Sequence, residues 1–161
     1  LLLLAWATLF LCIGPARAAT TTELALESLC GPAAVKHAQQ VDAAARRYLL
    51  HPVHLVALMA VESHCQAHAV SRRGAIGLMQ VMPYGPAANG LPRARLRDPR
   101  ANIETGVRWL AMMTTWCGSL PAGIGAYNTG RCDRGKRFSR LVVSTVARVW
   151  REIERRREPR S

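Results

Sequence analysis

Acidic side chains are scarce in this chain: ten Asp and Glu oppose 22 Lys and Arg, for a formal net charge of +12. None falls between Glu62 and Asp98, and lysine is nearly absent, since twenty of the cations are arginine. No stretch alternates apolar and polar residues as a half-buried strand would, and no repeat or low-complexity segment occurs, so the predicted class is all-α. There is no H-E-x-x-H to suggest a zinc hydrolase, and no G-x-S-x-G elbow surrounds Ser63 to suggest serine catalysis. No cysteine lies within four residues of another. With only His64 and His68 beside Cys65, no metal site is expected. The 161 residues suffice for one domain with one core.

What is present begins with an apolar run. Leu1 to Gly14 is almost unbroken, and Ala16-Arg17-Ala18 then places small residues where a signal peptidase reads them. The chain starts without methionine and is read as lacking its first residues. The expectation is therefore a secretory signal peptide over residues 1–18, cleaved after Ala18. A membrane anchor is the competing reading, but about 14 apolar residues fall short of the roughly 20 that span a bilayer. Export makes the basic balance point to a polyanionic partner, cell wall or envelope lipid before nucleic acid. It also leaves four cysteines after Cys12 departs, an even number that suggests two disulfides with three possible pairings.

Helical periodicity runs through most of the chain. Thr20 to Leu29 reads as a frayed turn or brief helix. Pro32 opens a helix whose Val35, Ala38, Val41, Ala45 and Tyr48 recur at spacings of three and four. Pro52 opens the next, apolar nearly all round from Val53 to Val61, which is predicted to be the buried centre of the fold. Packed antiparallel across the short turn Leu49–His51, these two helices bring Cys30 near Cys65 and leave Cys117 with Cys132. Ile76 to Met82 is predicted as a short helix between Gly74 and Pro83, and Tyr84 to Pro99 as loop. Further helices are expected at Asn102–Trp116, at Pro121–Asn128 with Gly130 as its stop, and at Ser139 to about Arg157. The last should turn Val142, Val146, Val149 and Ile153 inward and Arg148, Arg151 and Arg155 outward.

Against this frame one acid is isolated. Glu23, Glu27, Asp42, Glu104, Glu152, Glu154 and Glu158 sit on polar faces or near the termini, whereas Glu62 ends the apolar helix. A carboxyl against an apolar wall is held protonated toward neutral pH. A plain helix-end acid bonded to a neighbouring loop is the alternative. Gln80 lies in an apolar context where its amide needs a partner, either backbone or ligand. Tyr127 and Asn128 put a phenol and an amide at a helix end, suited either to a sugar or to a packed tyrosine with a capping asparagine.

Four motifs in order carry a resemblance. They are Glu62-Ser63, then Gly74-Ala75-Ile76-Gly77-Leu78-Met79-Gln80-Val81-Met82-Pro83, then Asn102-Ile103 with Gly106 and Trp109-Leu110, then Ala126-Tyr127-Asn128-Thr129-Gly130. Together, over roughly Ala33 to Gly130, they resemble the soluble lytic transglycosylase domain, a lysozyme-like α-helical fold with a substrate cleft. With the leader read at 1–18, the expected layout is an N-terminal segment 19–32, a catalytic domain 33–130 where the resemblance lies, and a basic C-terminal helix in 131–161 packed on it. The resemblance also bears on activity. It implies cleavage of the β-1,4 bond between N-acetylmuramic acid and N-acetylglucosamine in peptidoglycan, with Glu62 as the only catalytic carboxyl and a 1,6-anhydro sugar as product. Ser63, Met79, Gln80, Tyr127 and Asn128 match positions that contact the glycan or orient the acid. No cofactor is implied.

Ordinary glycosidases place two carboxyls across the scissile bond. Goose-type lysozymes resemble this domain but carry aspartates between the glutamate and the Gly-Leu-Met-Gln segment, an interval that holds none here. Hydrolytic muramidase activity and a non-catalytic wall-binding or assembly role are the competing readings. Compact members of the family open the wall for secretion or conjugation machines, and this chain resembles them in size. Three positions depart from the pattern: His64-Cys65 stand where glycine or serine then phenylalanine is common, Gly85 stands where threonine is common, and the tail from Arg131 matches no motif. A disulfide at Cys65 is expected to replace the core aromatic.

Overall fold

The computed structural model describes residues 18–158; the expected leader, but for Ala18, lies outside them. Among the described residues six α-helices form: α1 (Thr21–Cys30), α2 (Ala38–Tyr48), α3 (Pro52–Ser63), α4 (Pro99–Cys117), α5 (Leu120–Thr129) and α6 (Lys136–Arg157). Among the described residues there is no strand, only two isolated bridges. Helix α1 is firmer than its polar start suggested. Thr20 accepts from the Glu23 amide at 3.1 Å while the Glu23 carboxylate accepts from the Thr20 amide at 2.7 Å, a reciprocal capping box. The helix opened by Pro32 begins as a 3-10 turn over Pro32–His37 and becomes α-helical only at Ala38.

Helix α3 is the centre of the core. Val53 and all five residues from Leu55 to Met59 are completely buried. It packs against α1, α2 and α6, while α4 and α5 pair with one another, α2 lies on α4 and α6 closes over α1, α3 and α5. The inward positions of α6 are Val142, Val146, Val149 and Ile153, all buried. Helix stops follow local chemistry: Gly118 and Gly130 both take left-handed geometry as the backbone turns away.

Two disulfides fasten the helices. Cys30 at the end of α1 is bonded to Cys65 just past the end of α3, and Cys117 at the end of α4 to Cys132 in the turn before α6. Closing the 35-residue interval between Cys30 and Cys65 restricts the unfolded chain and contributes about 4 kcal/mol.

Ile76 to Met82 is not a helix. Ile76 and Val81 exchange both backbone hydrogen bonds at 3.0 Å, and Ile76 also bridges to Val70. Between them Gly77 (φ 76°) and Gln80 (φ 47°) are both left-handed, which no α-helix accommodates. The contiguous apolar residues are buried because the segment is folded into a tight double turn inside the protein, so their spacing carries no helical face. Gly77 is required here. A Cβ would stand 2.5 Å from the Asn102 side-chain nitrogen.

Candidate active site

Glu62 sits in the last turn of α3, and the turn after it is held from two sides. Ser63, itself buried, donates its hydroxyl to the Leu78 carbonyl at 2.8 Å, with the Met59 carbonyl 3.1 Å away. His64 and Cys65 both turn left-handed, and Cys65 is then covalently tied to α1. The end of the helix that carries the acid is thereby clamped to the 76–81 turn on one side and to α1 on the other.

Asn102 holds the 76–81 turn in place. Its side chain, 1 % exposed, accepts from the Met79 amide at 2.8 Å and donates to the carbonyls of Ile76 at 2.8 Å and Leu96 at 2.9 Å. One amide thus satisfies three buried backbone groups outside the α-helices, two in the 76–81 turn and one in the 3-10 turn Arg95–Arg97. Gly106, one turn further along α4, gives the Met79 side chain room to lie flat on the helix. A Cβ there would meet the Met79 Cβ at 2.5 Å. The Tyr127 hydroxyl on α5 donates to the Met79 carbonyl at 2.5 Å, and the Trp109 ring nitrogen on α4 donates to the Tyr127 carbonyl at 3.4 Å.

The arrangement leaves a cleft of about 380 Å³ whose walls include Gln80, Met82, Tyr84, Ala87, Trp109 and Tyr127. Among the described residues no carboxylate lines it. Glu62 is not one of its walls; its charge acts on the phenol of Tyr127, which is. Burial pushes the Glu62 carboxyl up from an ordinary 4.5 to about 7. Burial first, and the Glu62 charge second, push the Tyr127 phenol well above its usual range, so it remains a hydrogen-bond donor.

Of the residues singled out in the sequence, Glu62, Ser63, Met79, Gln80 and Tyr127 converge here. They do so in different capacities. Ser63 and Met79 are buried, so the hydroxyl of the first and the backbone of the second act in positioning. The Gln80 amide donates to the Gly77 carbonyl at 2.9 Å within its own turn, while the residue still faces the cleft. Asn128 is exposed on the last turn of α5, and no hydrogen bond among the described residues joins it to this group. Asn102, Gly106 and Trp109 belong to the quoted motifs, but their roles became visible only through partners more than 15 residues away. An asparagine on the apolar side of a helix was the available signal for Asn102.

A family model described as the transglycosylase SLT domain matches residues 39–141. The chain belongs to this family. The match runs beyond Gly130, where the sequence motifs stop, into α6. Among related proteins, the membrane-bound lytic murein transglycosylase C of Edwardsiella ictaluri (strain 93-146) is 36% identical over 112 residues. That alignment takes in 59% of this chain and 31% of the relative, so the SLT chain spans about a third of that protein's length. Among solved structures, an inactive mutant of the lytic transglycosylase Slt from Pseudomonas aeruginosa superposes with a TM-score of 0.66 at 21% identity, covering 80% of this chain and 26% of that one. At that identity the likeness establishes the helical fold of the SLT domain.

The raised carboxyl also makes a stability prediction. The folded-state pKa of about 7 lies above the ordinary 4.5, so the folded protein retains a proton that the unfolded chain releases between those values. Wild-type stability should therefore fall as pH rises through that window and level off above it. Glu62→Gln lacks this loss. Allowing for partial solvent screening, it should be about 1–3 kcal/mol more stable than wild type above neutrality and equal to it below about pH 4.5. Urea unfolding at pH 4.5 and 8 measures the difference, and parity at both values would mean that Glu62 is not desolvated.

Proposed function

We propose that this SLT domain is a peptidoglycan lytic transglycosylase, cleaving the β-1,4 bond between N-acetylmuramic acid and N-acetylglucosamine and leaving 1,6-anhydro-muramic acid ends. The observation that carries the reading is Glu62, a desolvated carboxyl with a pKa of about 7 whose charge reaches Tyr127 in the wall of a cleft lined by no described carboxylate. Protonated, Glu62 gives its proton to the glycosidic oxygen as the bond to the anomeric carbon breaks. The resulting carboxylate then takes the proton of the muramic acid C6 hydroxyl as that oxygen bonds to the anomeric carbon. The proton returns to Glu62 and no water is consumed. One acid suffices because the nucleophile belongs to the substrate, whereas hydrolysis usually employs a second carboxyl.

The cleft suits a glycan: Trp109 and Tyr127 offer apolar ring faces in its walls, and Gln80 an amide. Glycan strands of the wall are the proposed substrate, which places the protein outside the cytoplasm, in the periplasm or at the wall. The apolar leader read in the sequence supports export, and among the described residues no helix is long and apolar enough to cross a membrane. Service to a secretion or conjugation apparatus is a further part of the proposal and rests on resemblance to compact family members alone. Nucleic acid is not proposed as a partner.

Digestion of purified sacculi, with the product masses read by mass spectrometry, tests the reaction. Muropeptides lighter by one water than hydrolysed ends support the transglycosylase. Hydrolysed ends would assign a muramidase, and sacculus binding without released product would assign a wall-binding role.

A further inference from the structure

The outward face of α6 has no part in the cleft: no residue of this helix lines it. Arg137, Arg140, Ser144, Arg148, Arg151 and Arg155 recur there at steps of three and four, on the side opposite the buried Val142, Val146, Val149 and Ile153. At 1.5 Å per residue the five arginines form a straight stripe about 27 Å long. Among the described residues, no carboxylate lies within ion-pair distance of Arg137, Arg140, Arg148 or Arg151; Arg155 pairs with Glu152, which also takes Arg156. An open groove of about 480 Å³ between Ser28 and Leu29 of α1 and Arg148, Arg151, Glu152 and Arg155 runs beside the stripe; its one carboxylate, Glu152, is paired with Arg155 and Arg156. Leu141 and Val143, 52% and 42% exposed, flank it on its two sides.

From this geometry we infer that α6 is a docking surface for an anionic phospholipid bilayer, with lipid phosphates on the arginines and Leu141 and Val143 against the headgroup–acyl boundary. A single straight face of like charge matches a plane of phosphates, and arginine binds phosphate through paired donors. Apolar side chains bordering the stripe gain by burial in a lipid interface and gain nothing on a fully hydrated polymer such as an anionic wall glycan. Docked this way, the helix anchors the domain without occupying its cleft.

Vesicle partitioning of the full chain tests the surface, comparing phosphatidylcholine alone with phosphatidylcholine containing phosphatidylglycerol. Partition coefficients multiply, so any insertion of the apolar run 1–14 is common to all samples and cancels from the ratios. The anionic vesicles should bind more tightly, and the preference should shrink with added salt. Replacing Arg140, Arg148 and Arg151 together by glutamine should lower partitioning onto anionic vesicles roughly 100-fold. Leu141→Ser should lower it about threefold without altering retention on an immobilised anionic polysaccharide. Helical circular dichroism and cleavage of soluble glycan fragments should be unchanged in both variants. Loss of glycan cleavage in every sample would count against the catalytic reading and leave this one standing. Equal partitioning on the two vesicle types would overturn the inference, as would a triple variant that binds like wild type. Polymer retention that falls with the arginines while vesicle binding does not would assign the face to a hydrated polyanion instead.

Discussion

Glu62→Gln is expected to lower the release of muropeptides from sacculi about 1,000-fold or more while leaving the fold intact. General acid–base catalysis by one positioned group contributes about 100- to 10,000-fold, and Glu62 is asked to serve in both halves of the reaction. Glutamine keeps the size and the polarity of the side chain but can neither give nor take the proton. The walls of the cleft supply no second carboxylate, so no neighbour can take over the role. The measurement is product release by the variant beside wild type, with circular dichroism as the check on folding. Cleavage within tenfold of wild type would remove Glu62 from the mechanism. The pH profile adds an independent sign: the step needs the protonated acid, so wild-type cleavage should decline as pH rises through about 7.

Asn102→Ala is expected to destabilise the protein by about 4 kcal/mol and to reduce cleavage as well. The substitution strips partners from the Met79 amide and the Ile76 and Leu96 carbonyls, and each buried group left unsatisfied costs about 1–3 kcal/mol. Part of this is recovered if water enters the vacated space. The loss should not stay local. The 76–81 turn is what Ser63 and Tyr127 bond to, so loosening it releases both the end of α3 and one wall of the cleft. Asn102→Asp should fare no better, because a carboxylate oxygen would then face two carbonyls that now receive N–H donors. Chemical denaturation reads the stability directly. A loss below 1 kcal/mol would show that other contacts hold the turn.

The helices were legible because their signals are local. Pro52 and Asp98-Pro99 mark starts, Gly130 marks a stop, and the three-and-four spacing of Val142, Val146, Val149 and Ile153 survives unchanged into the packed core. Glu62 was legible for a different reason, as an acid alone at the end of an apolar helix. The 76–81 turn was not. Nothing in the residue type of Gln80 announces a left-handed backbone, and the conformation is fixed by an asparagine on α4, a serine on α3 and a tyrosine on α5. Residues whose task is to hold a distant loop leave only a weak trace in sequence, a polar side chain among apolar ones. For the same reason Ser63 and Met79, grouped in the sequence reading with residues that meet the glycan or orient the acid, are in the structure buried parts of the frame.

The central claim is that burial alone keeps the Glu62 carboxyl protonated near neutrality. Titrating the side-chain carboxyl carbons of glutamate-labelled protein by NMR, with Glu62→Gln to assign the resonance, tests it directly. A midpoint near pH 7 for Glu62 is the predicted result. A midpoint near 4.5, level with the exposed glutamates, would contradict the account.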